Sequence, residues 1–282
     1  DSNALNSFAG AGFISDAPGV NNIGAASLLY QPFSTLSRIN QVGLFARVNY
    51  GFADKYFITA VVRRDGASVF GANNKFAVFP GVSASWRISE ESFGKGLGFN
   101  DLKLRANIGA QGNQAIQPYQ SLALLGANPN NRYPIGNTLV TGVLPIQNPN
   151  PDLRWETTVQ SGVGLDFATF NNRLTGTVDY WSKTTRDLLL LVPVPQPAVV
   201  ATQLQNVGRL KNAGWEGSLD YAAYRQGARN VTFGLIFTAD RNRVLDLGGR
   251  QQIFTGTGSG SGQSATNSQI VRPGLPLGTF FG

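Results

Sequence analysis

The feature that most limits what this chain can become is a two-residue alternation of apolar and polar side chains, repeated along most of its 282 residues. A β-strand points successive side chains to opposite faces, so a period of two gives each strand one greasy side and one wet side. In 102–109, Leu102, Leu104, Ala106 and Ile108 fall on one face, with Lys103, Arg105, Asn107 and Gly109 on the other. In 155–167, Trp155, Val159, Val163, Leu165 and Phe167 oppose Glu156, Gln160 and Asp166. Leu174, Val178 and Tyr180 oppose Thr175, Thr177 and Asp179, and Trp215, Leu219 and Tyr221 oppose Glu216, Ser218 and Asp220. Val231, Phe233, Leu235 and Phe237 share a face, with Ile236 as an exception on the other. Strands are also expected at 42–50, 56–65 and 78–88. In 56–64 both faces hold apolar groups, so the pattern alone leaves the greasy side open. Pro80 cannot donate to a ladder and is expected at a strand start or rim.

That makes about eight strands, and the links between them alternate in length. Short links at 51–55, 168–172 and 225–229 and a middling one at 89–101 alternate with longer ones at 66–76, 112–153, 184–212 and 244–281. Short turns at one end and long loops at the other are the topology of an outer-membrane barrel. A soluble sandwich has no reason to sort its loops this way. No apolar run approaches the roughly 18 residues of a membrane helix, so a membrane would be crossed by strands in a closed barrel, where every backbone group is satisfied.

Composition narrows the chemistry. Charged residues are 14% of the chain, against about 25% in soluble domains. Cysteine and histidine are both absent, which excludes a disulfide framework, a Ser-His-Asp triad and an imidazole metal site. The acid pair Asp152 and Glu156 has no supporting pattern for glycoside hydrolysis, so no enzyme, cofactor or metal is expected. The net charge of +7 is spread thinly, with no basic run longer than Arg63-Arg64, and nucleic acid is not an expected partner. The tract GTGSGSG at 256–262 lacks the Gly-Lys-Ser/Thr ending of a phosphate loop. Tyr50, Tyr56, Trp86, Trp155, Tyr180, Trp181, Trp215 and Tyr221 fall near expected strand ends, where a bilayer interface favours aromatic rings with a polar tip.

Five segments carry a resemblance. FARVNYGFADKYFITAVVRRDGASVFGANNKFAVFPGVSASWRISEESF (45–93), LKLRANIGAQGNQ (102–114), NPDLRWETTVQSGVGLDF (150–167), LQNVGRLKNAGWEGSLDY (204–221) and RPGLPLGTFFG (272–282) run in order along the chain. Together they resemble the SusC/RagA family of TonB-dependent outer-membrane receptors. Physical chemistry supplies part of the reason: Asp65-Gly66 suits a tight reversal, and Asn206, Gly208, Asn212 and Gly214 form turns and bulges. In Arg154-Trp155-Glu156, Trp155 is expected to anchor at an interface while Glu156 faces the lumen.

The resemblance implies an all-β fold: an antiparallel transmembrane β-barrel, present in part, as about eight strands of a wall of about 22. Residues 1–41 are expected to be irregular loop, 42–243 barrel strands with long extracellular loops, and 244–282 a loop leading to further strands. It implies TonB-dependent import of an oligosaccharide or peptide in the bacterial outer membrane. The partners would be membrane lipid, a SusD-like surface lipoprotein, and TonB acting through a plug domain that this chain lacks. If the apolar stripes face lipid, the lumen candidates are Lys103, Arg105, Asn107, Glu156, Gln160, Asp166, Asp179, Glu216 and Asp220. Tyr119 and Tyr133 are loop candidates for ligand contact. The bland role for these groups is hydrogen bonding within the wall. A passive channel, an adhesin barrel and a soluble carbohydrate-binding sandwich are the competing classes.

Overall fold

The computed structural model describes residues 2–15, 21–30, 32–226, 229–258 and 266–281. Among them, eight strands form one antiparallel sheet in chain order: Gln41–Phe52, Tyr56–Ala67, Phe76–Arg87, Phe99–Asn113, Glu156–Thr169, Leu174–Arg186, Arg209–Gln226 and Arg229–Asp246. These wall strands, first to eighth below, are the eight expected from alternation, each running further than the pattern alone marks. The two edge strands are not paired with each other, so the sheet is an open, partial wall. Ala53 and Asp54 turn the first short link at φ of 53° and 54°, the left-handed geometry of a primed β-turn, closed by the Lys55 N–H donating to the Phe52 carbonyl at 3.1 Å.

Directly paired residues share a face, so register decides what sequence could not. One row runs Phe52, Tyr56, Trp86, Leu104, Leu165, Val178, Gly217, Phe237 across all eight strands. The next runs Tyr50, Ile58, Ala84, Ala106, Val163, Tyr180, Trp215, Ala239. This assigns Tyr56, Ile58, Ala60 and Val62 to the apolar face. That face is uncovered: Phe233 and Leu235 are each 65% exposed and Val163 53%. A soluble sandwich would bury these side chains against a second layer; a barrel wall leaves them to hydrocarbon. The apolar band also slides along the strands. On the first strand it extends ten residues from Phe52 toward the long loops, to Val42, whereas on the eighth it stops two residues beyond Phe237, at Ala239. A band that slips steadily against hydrogen-bond register is what tilted barrel strands produce.

The long links are not bare loops. Leu124–Ile135 pairs with Thr138–Gln147, and Leu189–Pro193 pairs with Thr202–Asn206. Residues 1–41, read above as irregular, contain paired ribbons at Ser2–Ser7 with Phe33–Arg38 and Gly10–Ala11 with Leu28–Leu29. Residues 244–282 contain Ile253–Gly258, Thr266–Val271 and Thr279–Phe280 in one small sheet. Long excursions that leave the wall still carry backbone donors and acceptors, and pairing within the excursion satisfies them. Residues 259–262 of the Gly/Ser tract lie outside the described residues.

Dry packing is concentrated at the long-loop rim. Phe70, Phe79, Leu153 and Trp155 are buried there with Ala67, Val69 and Ile116. The Trp155 ring lies 4.7 Å from that of Phe70 and 5.7 Å from that of Phe79, and its indole N–H donates to the Lys75 carbonyl at 3.2 Å. Trp155 is therefore a core residue, 7% exposed, and not the interfacial anchor expected above. Its position just before a strand is common to both roles, and only the neighbouring loop decides. Trp181 is also corrected: it pairs with Gly162 and Gly214 on the polar face, and its N–H donates to Glu216 at 2.8 Å. The remaining aromatics of that set, including Tyr56, Trp86, Tyr180 and Trp215, sit on the apolar face.

Asparagine side chains tie the rim loops together. Asn148 donates to the carbonyls of Val200 and Thr202 at 2.9 Å, and Asn150 to Leu204 at 2.7 Å. Asn206 answers by donating to the carbonyls of Arg154 and Asp187 and accepting the Arg154 N–H at 2.8 Å. Pro149 and Pro151 cannot donate from the backbone, so the amide side chains of the NPNPD segment supply the rungs of a strand that is not there. Gly71 seats this segment against the 68–75 loop, donating to the Leu153 carbonyl at 2.8 Å; a Cβ there would meet the Pro151 carbonyl oxygen. At the opposite, short-turn end, Glu91 accepts from Tyr56, Lys55 and Trp86 at 2.6, 3.0 and 3.3 Å. The Tyr56 hydroxyl and then the Lys55 ammonium hold the Glu91 carboxyl below its usual range.

Two outcomes follow. Val163→Arg in the middle of the apolar band is expected to cost about 2–4 kcal/mol of folding into a bilayer, while Gln160→Arg on the opposite face costs little, measured by reversible unfolding in lipid vesicles. Trp155→Ala is expected to cost about 3–5 kcal/mol and to open 114–153 to protease while the wall strands stay protected, read by limited proteolysis with mass mapping.

Candidate functional site

Register places all nine lumen candidates on one face. Lys103, Arg105 and Asn107 of the fourth strand lie level with Asp166, Gly164 and Gly162 of the fifth. Asp179 pairs with Gly164 and with Glu216, and Asp220 pairs with Thr175. Glu156 and Gln160 have the same parity on the fifth strand. The polar face is thus continuous across the fourth to seventh strands.

These side chains fall into two groups. The first is a charge network. Arg105 reaches Asp166 at 2.6 Å and Asp179 at 3.0 Å, and Lys103 reaches Asp166 at 2.9 Å. Two cations and two carboxylates on three adjacent strands therefore neutralise one another, with Arg105 forked between two acids. Glycine makes this possible: a Cβ at Gly164 would meet the Asp179 carboxylate and the Arg105 guanidinium. Glu216 is held by Trp181, and Glu156 accepts from Asn113 at 3.2 Å and from the Leu189 N–H. The second group is free. Asn107, Gln160 and Asp220 have no side-chain hydrogen bond among the described residues, and Asp220 is exposed.

The two tyrosines stand apart from this face. Tyr119, at φ of 66°, accepts the Arg38 N–H on its hydroxyl at 3.1 Å. That contact braces the 114–155 excursion against the Phe33–Arg38 strand. Tyr133 pairs with Val140 in the outer ribbon and is 49% exposed.

A concave site of about 550 Å³ opens where the third and fourth strands part, lined by Val61, Arg63, Asp65, Gln111, Gln114 and Trp155 among others. Its cause is legible. The ladder between these strands stops at the Gly81–Gly109 pair, next to Pro80, which has no N–H to offer. Pro80 thus sits inside a strand, at the residue where one of its two ladders ends. Arg63 and Asp65 are paired at 2.7 Å, and the Gln114 side-chain oxygen is buried without a hydrogen-bond partner among the described residues. A guanidinium, a carboxylate, two amides and an indole suit a ligand rich in hydroxyl or amide groups. Sequence reading missed Arg63, Asp65, Gln111 and Gln114. The second strand is apolar on both faces, and Gln114 lies beyond the last clear alternation. The Arg-x-Asp spacing, two residues apart on one strand face, was the available signal.

Comparison with known proteins places this geometry. The family model described as TonB dependent receptor-like, beta-barrel matches residues 3–273. TonB-dependent receptor P26 of Formosa agariphila is 39% identical over 245 residues, covering 84% of this chain and 24% of that protein. TonB-dependent receptor SusC of Bacteroides thetaiotaomicron is 36% identical over 188 residues, covering 65% of this chain and 19% of that protein. The RagAB peptide importer in its closed-closed state matches with a TM-score of 0.81 at 29% identity, over 98% of this chain and 29% of that one. The chain spans about a quarter of the length of the curated relatives it matches. An open wall of tilted strands, greasy outside and charged inside, and a family match along nearly its whole length agree: this chain belongs to the TonB-dependent receptor β-barrel family, as a stretch of outer-membrane wall.

Proposed function

We propose that the protein carrying this chain imports an oligosaccharide or a peptide across the outer membrane, driven by TonB through a plug domain outside this stretch and served by a SusD-like surface lipoprotein. The observation that carries the reading is the match to a solved peptide importer along 98% of the chain. The likeness to SusC points to the same architecture. Within this wall, the free polar groups Asn107, Gln160 and Asp220, and the notch of Arg63, Asp65, Gln111 and Gln114, are the groups available to a polar solute. Lys103, Arg105, Asp166 and Asp179 serve the wall: their charges are already matched. Tyr133, half-exposed on the outer ribbon, is available to a solute at the mouth, whereas the Tyr119 hydroxyl is taken up in bracing.

The test is growth and uptake. Deleting the full-length gene is expected to abolish growth on one solute class, oligosaccharide or oligopeptide, and deleting TonB is expected to reproduce the loss. Uptake that persists without TonB would make the barrel a passive channel. Gln111→Ala with Gln114→Ala is expected to weaken solute binding to the purified full-length protein by between about twofold and a hundredfold. That corresponds to the loss of one or two hydrogen bonds at about 0.5–1.5 kcal/mol each, read by calorimetry with the solute class that growth identifies.

A further inference from the structure

On the sixth to eighth strands the apolar face ends in cations at its long-loop edge. Beyond Tyr180, Trp215 and Ala239, the same face carries Arg186 on the sixth strand, Arg209 and Lys211 on the seventh, and Arg241 and Arg243 on the eighth. All five are exposed, and none makes an ion pair or side-chain hydrogen bond among the described residues. Register sets like charges against each other: Arg186 lies directly opposite Arg209, and Lys211 directly opposite Arg243. Like charges directly opposite on one sheet face repel. The polar face of the fourth to sixth strands shows the contrary habit, with Arg105 and Lys103 each placed on a carboxylate. Asp246, opposite Arg209 across the register shift, accepts the Gly248 N–H and is the one acid paired with this group.

Height above the band fixes what could neutralise them. Arg241 stands two residues beyond Ala239, and Lys211 four beyond Trp215, roughly 7 and 13 Å along the strands. At a tilt of about 45° this is roughly 5 and 9 Å along the membrane normal. A headgroup layer occupies about 5–8 Å on each side of the hydrocarbon core. Arg241 therefore stands among lipid headgroups, and Lys211 and Arg243, each four residues beyond the band, at their outer limit. Arg186 and Arg209, six residues beyond Tyr180 and Trp215, stand roughly 14 Å up and above that layer. All five are on the outer side, where the long loops are.

We infer that Lys211, Arg241 and Arg243 form a docking surface for phosphorylated headgroups of outer-leaflet lipid, whose anionic oxygens bridge the opposed Lys211 and Arg243. Guanidinium and ammonium groups bind phosphate as forked and point donors respectively. Clustered Lys and Arg at a membrane surface favour anionic lipid.

The full-length protein in nanodiscs provides the test, with the heat-induced mobility shift of the barrel as readout. In neutral phosphatidylcholine, Lys211→Gln with Arg243→Gln is expected to leave the midpoint unchanged or raise it, because a repulsion is removed. When a diphosphorylated glycolipid replaces part of the neutral lipid, the parent's midpoint is expected to rise by several degrees and the double variant's to stay put. Lys211→Arg is expected to keep the rise. Inorganic phosphate added to neutral nanodiscs is expected to give none. The proposal fails if the parent gains nothing from the phosphorylated lipid, if the double variant gains equally, or if free phosphate reproduces the gain. It fails as well if the double variant is destabilised in neutral lipid, which would mean the cations have protein partners.

Discussion

A peptide group placed in hydrocarbon has no water to bond, and leaving it unpaired costs several kcal/mol. The rest of this structure follows from that constraint. Eight strands pair only with their sequence neighbours, so each short turn hands the chain directly to the next ladder. With the backbone satisfied in the sheet, the side chains are free to differ on the two faces. One face accordingly holds Leu104, Val163 and Phe237, and the other Arg105, Asp166 and Asp179.

The wall has little dry packing of its own. Its two faces meet two solvents, so neither buries side chains as a soluble core does. The tight packing is instead at the rim, where Phe70, Phe79, Leu153 and Trp155 close together. There the chain must hold long excursions in place without a lipid environment to order them. It does so with an aromatic cluster and with asparagine side chains that imitate missing backbone rungs. This explains why a segment as proline-rich as 148–152 can be structurally fixed. The prolines stop it joining the wall, and Asn148, Asn150 and Asn206 bind it to the neighbouring ribbon.

Charge is arranged differently on the two faces, and the difference has a physical origin. On the polar face, acids and bases from three consecutive strands sit within 3.0 Å of each other, which lets a crowded lumen surface carry charge without a large field. On the outer face the cations gather beyond the apolar band without an ion pair among the described residues, the lowest of them at headgroup height. A wall between two solvents has to match each of them, and here the matching extends to the layer where hydrocarbon gives way to phosphate.

The sequence by itself determined the number and approximate place of the wall strands, their antiparallel order, and the sorting of Lys103, Arg105, Asn107, Glu156, Gln160, Asp166, Asp179, Glu216 and Asp220 onto one face. The reason is that a two-residue period is a local property, written wherever a strand separates two solvents. Tertiary structure alone decided the rest. It assigned the faces of the second strand, where Phe57 and Ile58 are both apolar, because only cross-strand register can choose between them. It buried Trp155 and turned Trp181 inward, because a tryptophan near a strand end suits an interface, a core or a lumen equally well until its neighbours arrive. It built ribbons from 124–147 and 189–206, where Pro and Asn content hides pairing that depends on a partner segment. It also opened the notch beside Pro80 and gathered cations from three strands, since both depend on which residues of distant segments come to stand side by side.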